Sequence, residues 1–136
     1  MKLHLTTSNT QNLITGYEVG KVMVNNRAFT QNLIVLPEQL IENWHPVQTY
    51  HQQTDEKTNI GILKALSIAD FIEVAALKLE VVLFGTGETH QFIHPKLYAP
   101  LTEQQIALEC MTTAAACRTY NILMSEGRQV AAMLIV

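Results

Sequence analysis

The stretch ECMTTAAACRTYNILMSEGRQVAAMLIV, residues 109–136, decides the fold. It predicts the end of a strand, a helix that Thr112 or Thr113 caps, and a final apolar strand over Gln129–Val136. Gly127 lies between the helix and this strand, where a glycine commonly ends a helix. The predicted buried stripe of the helix consists of Ala116, Cys117, Tyr120, Leu123 and Met124.

Two similar helix–strand units precede this stretch. A helix beginning at Ser67 is followed by an apolar strand over Leu79–Phe84, and a helix over Pro95–Gln104 is followed by a strand over Ile106–Met111. Pro100 should kink the second helix, because proline removes a helical hydrogen bond. Buried strands that alternate with helices predict a parallel sheet covered by helices. The apolar positions at helical spacing in the first helix are Ile68, Phe71, Ile72 and Ala75.

The N-terminal part predicts a β-hairpin and a buried strand. Lys21–Val24 and Arg27–Thr30 flank Asn25-Asn26, a pair that tolerates the positive φ of a tight turn. Asn32–Leu36 contains a continuous apolar run, which is typical of a strand buried on both faces.

Residues 37–59 are predicted to contain a short helix and a loop. Pro37 suits the first turn of a short helix over Glu38–Asn43, and the polar segment His45–Asn59 should form an exposed loop. The whole pattern predicts an α/β fold with a layered mixed, largely parallel sheet, helices on both sides and an added N-terminal β-hairpin. Because 136 residues suffice for about one domain, we expect residues 1–136 to fold as a single domain.

Composition narrows the class of protein. The chain is 48% hydrophobic but only 15% charged, and its formal net charge of −3 argues against nucleic-acid binding. It has no apolar run long enough for membrane insertion, and because residues 1–12 contain no apolar core of a signal peptide we expect no secretory signal. Cys110 and Cys117 are too few for a disulfide framework, so we expect a cytoplasmic protein. The sparsely charged surface favours a protein partner or a homodimer.

The first candidate site is the loop Gly85-Thr86-Gly87, directly after a predicted strand. Ligands of parallel sheets bind beyond the carboxyl ends of strands, where main-chain N–H groups can hold an anion. The helix that begins near Thr113 should reach the same edge of the sheet with its positive dipole end. The simpler interpretation is a tight turn in which a side chain would clash, next to an ordinary helix cap.

The second candidate is the helix face that carries Arg118 and Asn121, next to Tyr120. Residues three apart in a helix are neighbours. The Arg118 guanidinium can hold a carboxylate or phosphate of a ligand or partner, or a carbonyl of a loop of the same chain. The sequence leaves both alternatives open.

Metal and thiol chemistry have weaker support. Glu88, His90 and His94 carry zinc-binding groups, but they fall in a predicted loop and no second cluster completes a ligand set. Cys117 lies on the apolar stripe and Cys110 in a strand, as is common for small core residues. A catalytic thiol would require Cys117 to be exposed beside one of the histidines. We expect no catalytic residues, no metal site and no cofactor.

LEVVLFGTG at 79–87 and LECMTTAAACRTYNILMSEGRQVAAMLIV at 108–136, with Phe92 and Pro95 between them, resemble a family of small bacterial and archaeal proteins of unknown function. The combination of GTG with CRTYN and EGR carries this resemblance, which covers the chain except His45–Leu66. A mitochondrial relative of the family is assembly factor 3 of respiratory complex I, the NADH:ubiquinone oxidoreductase. The resemblance implies a mixed sheet with an added hairpin, no established enzymatic activity or cofactor, and a chaperone-like role with a protein partner.

The chain departs from the family pattern at two places. Thr112-Thr113-Ala114 stands where the family usually has Asp-Thr-Gly, which removes a possible catalytic carboxylate. Glu88-Thr89-His90-Gln91 stands where the family usually has basic residues, which removes support for an anion at this loop. Both departures favour a function other than catalysis.

The sequence thus predicts a non-enzymatic protein-interaction module, and the resemblance implies a role in assembling a respiratory or other membrane complex. The alternative is a protein that binds a small anion or nucleotide at the same edge of the sheet. The candidate binding residues are Gly85, Thr86, Gly87, Thr113, Arg118, Tyr120 and Asn121.

Overall fold

The computed structural model describes residues 11–47 and 59–136. The strands of this part are β1 Ile14–Glu18, β2 Lys21–Val24, β3 Arg27–Phe29, β4 Leu33–Val35, β5 Leu40–Ile41, β6 Val81–Gly85, β7 Ala107–Met111 and β8 Val130–Leu134. Its helices are α1 Asn59–Ala65, α2 Ile68–Ala75, α3 Ala99–Glu103 and α4 Thr113–Ser125.

A five-stranded mixed sheet has the strand order β5-β4-β8-β6-β7. β6 pairs in parallel with β8 on one side and with β7 on the other, so that Leu83 lies between Ala132 and Glu109. β4 runs antiparallel to β8, and β5 runs antiparallel to β4. Parallel neighbours require a crossover connection, which the helices between these strands provide. The predicted mixed sheet is confirmed.

Both faces of this sheet are covered, because successive side chains of a strand point to opposite sides. Val82 and Phe84 pack in the cluster under α1, α2 and α3, whereas Leu83 and Ala132 pack under α4 and the β1–β3 strands. β6 and β8 are buried at every position, which explains their uninterrupted apolar sequences. The predicted helices on both sides are confirmed.

A second, three-stranded antiparallel sheet has the order β1-β2-β3. β2 and β3 form the predicted hairpin, and Asn25 and Asn26 at its turn have φ angles of 52° and 65°. Gly20, with a φ of 83°, completes the turn that adds β1 to the hairpin. This sheet packs against the same face of the central sheet as α4.

The prediction of a short helix over Glu38–Asn43 is wrong. β5 occupies the middle of this segment and pairs with β4. The Leu36 N–H donates to the Gln39 carbonyl at 2.9 Å, which closes a tight turn around Pro37. Proline favours the second position of such a turn as strongly as the first turn of a helix, so Pro37 alone did not distinguish them.

The predictions for α2 and α3 are only partly confirmed. In α2, Phe71 and Ala75 are buried as predicted and Val74 joins them, whereas Ile68 and Ile72 are 47% and 56% exposed. The predicted helix Pro95–Gln104 is reduced to α3, whose first turn contains Pro100. Proline is tolerated in a first turn because no helical hydrogen bond is lost there.

Asp70 fastens the start of α2. Its carboxylate is 1% exposed and accepts hydrogen bonds from the Ser67 N–H at 2.9 Å and the Val47 N–H at 2.8 Å. The bond from Ser67 fulfils the capping role that the spacing of these two residues suggests. Most of the predicted loop His45–Asn59, residues 48–58, lies outside the described residues.

α4 agrees closely with its prediction. Thr112 is the cap and accepts a hydrogen bond from the Ala115 N–H at 3.3 Å. Gly127 has a φ of 80° and follows the end of the helix. None of the helices in the described ranges is long and apolar enough to cross a membrane.

Candidate functional site

The loop after β6 is packed against the first turn of α4. A side chain at Gly85 would place a Cβ atom 2.9 Å from the Thr113 Cα and 3.1 Å from the Leu134 Cδ2. These contacts are shorter than a carbon–carbon van der Waals contact of about 3.5 Å. Glycine is therefore required here by the close approach of α4 and β8, as one of the sequence interpretations proposed.

Thr113 joins this loop to the end of β8. Its buried hydroxyl accepts a hydrogen bond from the Gly87 N–H at 2.9 Å and donates one to the Ile135 carbonyl at 2.7 Å. Its own N–H donates to the Gly87 carbonyl at 2.9 Å. We call this set of contacts around Gly85, Gly87, Thr113 and Ile135 the junction.

Thr86 completes the internal bonding of the loop. Its N–H donates to the Met111 carbonyl at 2.8 Å, and its hydroxyl donates to the Thr89 carbonyl at 2.7 Å and accepts from the Gln91 N–H at 3.1 Å. The three residues of Gly85-Thr86-Gly87 are buried. An anion at this loop would have to displace the protein acceptors of the Thr86 and Gly87 N–H groups.

Tyr120 and Asn121 fasten the N-terminal segment to α4. The fully buried Tyr120 donates its hydroxyl hydrogen to the Asn12 carbonyl at 2.8 Å, and burial raises the pKa of this phenol. The Asn121 side chain accepts from the Ile14 N–H at 2.9 Å and donates to the Ile14 carbonyl at 2.7 Å. The polar groups of both predicted site residues are thus engaged by the main chain.

Arg118 is placed differently from the other candidate residues. Its side chain is exposed, and the described part of the chain gives its guanidinium neither an ion pair nor a hydrogen bond. It borders an open groove of about 260 Å³ between β1 and α4, whose walls include Thr15 and Ala114. We call this the β1–α4 groove.

Cys117 lies at the bottom of the β1–α4 groove but is only 4% exposed. Burial raises the pKa of its thiol to about 12, although the Arg118 guanidinium acts to lower it. A thiol with this pKa is almost entirely protonated at neutral pH and is therefore a poor nucleophile. The interpretation of Cys117 as a catalytic thiol, which required exposure, is wrong.

Tyr17 was not among the predicted site residues, yet it connects two grooves. It borders the β1–α4 groove and a second groove of about 260 Å³, which is also lined by Val19 and Glu88. Burial raises the pKa of Tyr17, and the nearby Cys117 and Glu88 raise it further. Only the packing of β1 beside α4 reveals this position, because about a hundred residues separate the two elements.

The structure therefore divides the predicted residues into three groups. Gly85, Thr86, Gly87 and Thr113 belong to the junction and its loop, Tyr120 and Asn121 hold the N-terminal segment, and Arg118 faces solvent. Within the described residues, no group of three or more His, Cys, Asp or Glu side chains is arranged to hold a metal ion.

Together, the elements and the grooves define a mixed α/β fold whose candidate site is an open surface. The chain belongs to the family described as protein of unknown function DUF498/DUF598, whose model matches residues 14–135. This finding confirms the resemblance that the GTG, CRTYN and EGR sequences carry.

Relatives and solved structures agree with this assignment. The mouse NADH dehydrogenase (ubiquinone) 1 alpha subcomplex assembly factor 3 is 29% identical over 116 residues, or 85% of this chain and 55% of the mouse protein. The chain thus spans about half the length of the assembly factors it matches. A Bordetella parapertussis crystal structure superposes with a TM-score of 0.73 at 33% identity, covering 93% of this chain and 96% of that one. A Xanthomonas campestris NMR structure gives 0.73 at 36% identity, covering 93% and 85%.

Proposed function

We propose that this protein is a non-enzymatic protein-interaction module that takes part in assembling a respiratory or other membrane complex. The observation that carries the proposal is that Arg118 is exposed at the open β1–α4 groove and has no ion-pair partner in the described part of the chain. The assembly role is supported by the similarity to proteins named as complex I assembly factors.

The geometry of the groove favours a macromolecular partner. Small-molecule sites are concave and enclose most of the ligand, whereas the β1–α4 groove is open to solvent. Arginine is enriched among the residues that dominate protein–protein binding, since its planar guanidinium makes two parallel hydrogen bonds to a carboxylate. An acidic group of a partner is therefore the expected ligand of Arg118.

The other predicted residues have a supporting part in this proposal. Tyr120 and Asn121 hold the segment that forms one wall of the groove, and the junction fixes the start of α4, which forms the other wall. The two free cysteines are in keeping with the reducing cytoplasm that we propose as the location.

An affinity capture experiment tests the proposal. Three baits are compared: the wild-type protein, Arg118→Ala and the control Arg128→Ala. Each is incubated with a lysate of the cells in which the protein naturally occurs, and the lysate includes detergent-solubilised membranes. Arg128 is a suitable control because it is exposed like Arg118 but lies 4.0 Å from Glu80, outside the groove. Captured proteins are quantified by mass spectrometry, and circular dichroism establishes that each bait is folded.

We expect the wild-type and Arg128→Ala baits to capture subunits of a respiratory or other membrane complex. The captured amount should be at least tenfold lower with the Arg118→Ala bait. Equal capture by all three baits would show that the groove is not the contact surface. Failure of the wild-type bait to enrich any such subunit would contradict the assembly role itself.

A further inference from the structure

β1 is an edge strand of the three-stranded sheet, so one side of its main chain has no strand beside it within residues 11–47 and 59–136. Its pairing with β2 shows which groups point to that side. Glu18 faces Lys21 across a two-residue turn, and in such a hairpin the pair next to the turn is hydrogen-bonded. Hydrogen-bonded and non-hydrogen-bonded pairs alternate along an antiparallel ladder, so the next pair, Tyr17 and Val22, is not hydrogen-bonded. The N–H and carbonyl of Tyr17 therefore point away from β2.

At Ile14, the outward-pointing main-chain groups of the same edge are already hydrogen-bonded by a side chain of α4. Asn121 accepts from the Ile14 N–H at 2.9 Å and donates to the Ile14 carbonyl at 2.7 Å, as the peptide group of a neighbouring strand would do. Tyr17 carries the next outward-pointing peptide groups beyond the β-bulge between Ile14 and Gly16. The edge of β1 is therefore half occupied by a side chain of α4 and half open toward the grooves.

The open half carries opposite charges on its two sides. Tyr17 belongs to both grooves, with Arg118 bordering one and Glu88 the other. Among the described residues neither of these charges has an ion-pair partner, whereas Glu18 is paired with Lys21 at 2.8 Å. Val19, which is 68% exposed, adds an apolar contact beside Glu88.

We propose that an extended segment of a partner protein adds to the free edge of β1 at Tyr17, with an acidic side chain at Arg118 and a basic side chain at Glu88. The inference rests on the proposed function and specifies the chemistry of its partner. Unpaired main-chain groups at a sheet edge are satisfied by an extended chain and not by the outer surface of a helix, whose main-chain groups are bonded internally.

The size of the site determines the kind of binding. As far as the described ranges show, one outward-facing residue of β1, Tyr17, is open, so the partner segment makes two main-chain hydrogen bonds in addition to its two charge contacts. Such a short pairing gives a reversible complex, as is suitable for a factor that has to leave its partner. The charges at the two sides determine which extended segments are accepted.

The test uses peptides of defined charge and the intact protein labelled with ¹⁵N. The probe is an acetylated and amidated heptapeptide, Asp-Val-Thr-Val-Thr-Val-Lys, and the control replaces its Asp by Lys. Binding is followed by NMR through the amide signals of Thr15 and Tyr17. We expect saturable shifts of both signals with the probe and at least tenfold weaker binding of the control peptide.

Two changes test the main-chain pairing itself. A probe with an N-methyl group on its central residue cannot donate at that position and should lose binding at least tenfold. In the protein, Tyr17→Pro removes the outward N–H, a place where a sheet edge tolerates proline, and should also lose binding. Tyr17→Val keeps the N–H and should therefore retain peptide binding. If Tyr17→Pro does not fold, the comparison of methylated and unmodified peptides still tests the main-chain pairing.

Charge reversal tests the recognition at the two sides. Arg118→Glu should bind the control peptide more tightly than the probe, which reverses the wild-type order. Equal binding of methylated and unmodified probes would overturn strand addition, and so would a peptide that binds as a helix. Shifts of Tyr17 that depend on protein concentration without peptide would identify a second copy of this chain and also overturn the inference. Absence of binding by any peptide overturns it as well, while capture of membrane-complex subunits through Arg118 would leave the proposed function standing.

Discussion

The junction and the β1–α4 groove both lie along the first half of α4, yet they are built in opposite ways. At the junction, the polar groups of Thr113 and Gly87 are buried and bonded within the chain. At the groove, the guanidinium of Arg118 is exposed and without a partner in the described residues. Buried polar groups that are bonded within the chain stabilise the fold, whereas an exposed guanidinium can bind a group of another molecule.

This difference indicates which polar residues of the region stabilise the fold and which are available to bind a partner. Substitutions at the junction should change the free energy of unfolding, because they leave buried groups without partners. Substitutions at the rim of the groove should change binding while the stability stays nearly constant. The following predictions test this division, starting with the largest expected effect.

Thr113→Val should give the largest loss of stability. Valine keeps the shape of threonine but leaves the Gly87 N–H and the Ile135 carbonyl without the hydroxyl that bonds both. Each unsatisfied buried group costs about 1–3 kcal/mol, so we expect the free energy of unfolding to fall by about 3 kcal/mol. Urea denaturation followed by circular dichroism measures this change.

The matched control for this experiment is Thr113→Ser, which retains the hydroxyl and removes one methyl group. Its expected loss is about 1 kcal/mol, the value for a buried methyl group. A Thr113→Val protein as stable as Thr113→Ser would show that the two hydrogen bonds do not hold the junction together.

Gly85→Ala is expected to have the next largest effect. The added methyl group would lie 2.9 Å from the Thr113 Cα, a main-chain atom that cannot move without shifting α4. Overpacking of this kind costs about 1–3 kcal/mol. At Gly16 beside the groove, the same substitution would meet the Met23 Cγ at an ordinary 3.4 Å. We therefore expect Gly16→Ala to change the melting temperature little, and equal losses for both variants would refute the division.

The sequence predicted the place of the junction but not its chemistry. GTG after an apolar strand, followed later by TT before a helix, indicated that a loop and a helix start meet at one sheet edge. The acceptor of the Thr113 hydroxyl is the carbonyl of Ile135, 22 residues away, and its donor is Gly87, 26 residues away. Local patterns do not contain such contacts, so an anion loop and a satisfied turn could not be distinguished.

The groove was even less accessible to sequence reasoning. Arg118 was identified as a candidate because it neighbours Asn121 on one helix face and its guanidinium can hold a carboxylate or phosphate, but its surroundings depend on β1, which is distant in sequence. Tyr17 was missed for the same reason. Leu40 and Ile41 were assigned to a helix because Pro37 suits a first helical turn, and a two-residue strand is too short to show the alternation that would have indicated it. Long apolar strands and capped helices were predictable, whereas short pairings depend on the completed fold.

Cys117 links the two regions, because it lies at the bottom of the groove but is buried like the junction. Its thiol has a pKa of about 12 instead of 9.0, so the folded state holds the proton more tightly than the unfolded state. Stability should therefore be constant below pH 9 and fall as the pH rises toward 12. Between pH 8 and pH 10 this one group should account for a loss of about 1 kcal/mol.

The measurement is the urea midpoint at pH 8 and pH 10 for wild type and Cys117→Ala. The raised pKa values of Tyr120 and Cys110 contribute with the same sign to both proteins, so the difference between them reports on Cys117 together with its effect on the pKa of Tyr17. We expect a smaller decrease for Cys117→Ala. Identical decreases would mean that solvent reaches the bottom of the groove.

Arg118→Ala should have the smallest effect on stability, less than about 0.5 kcal/mol, because its side chain is exposed and pairs with no charged group among the residues that the structure describes. Asn121→Ala, three residues later on the same helix, gives the matched comparison. It removes two hydrogen bonds to Ile14 and should cost about 1–2 kcal/mol at about 1 kcal/mol for each bond. Urea denaturation measures both variants. A cost for Arg118→Ala equal to that for Asn121→Ala would show that the guanidinium serves the fold, whereas near-zero cost with lost partner capture would separate binding from folding within a single turn of α4.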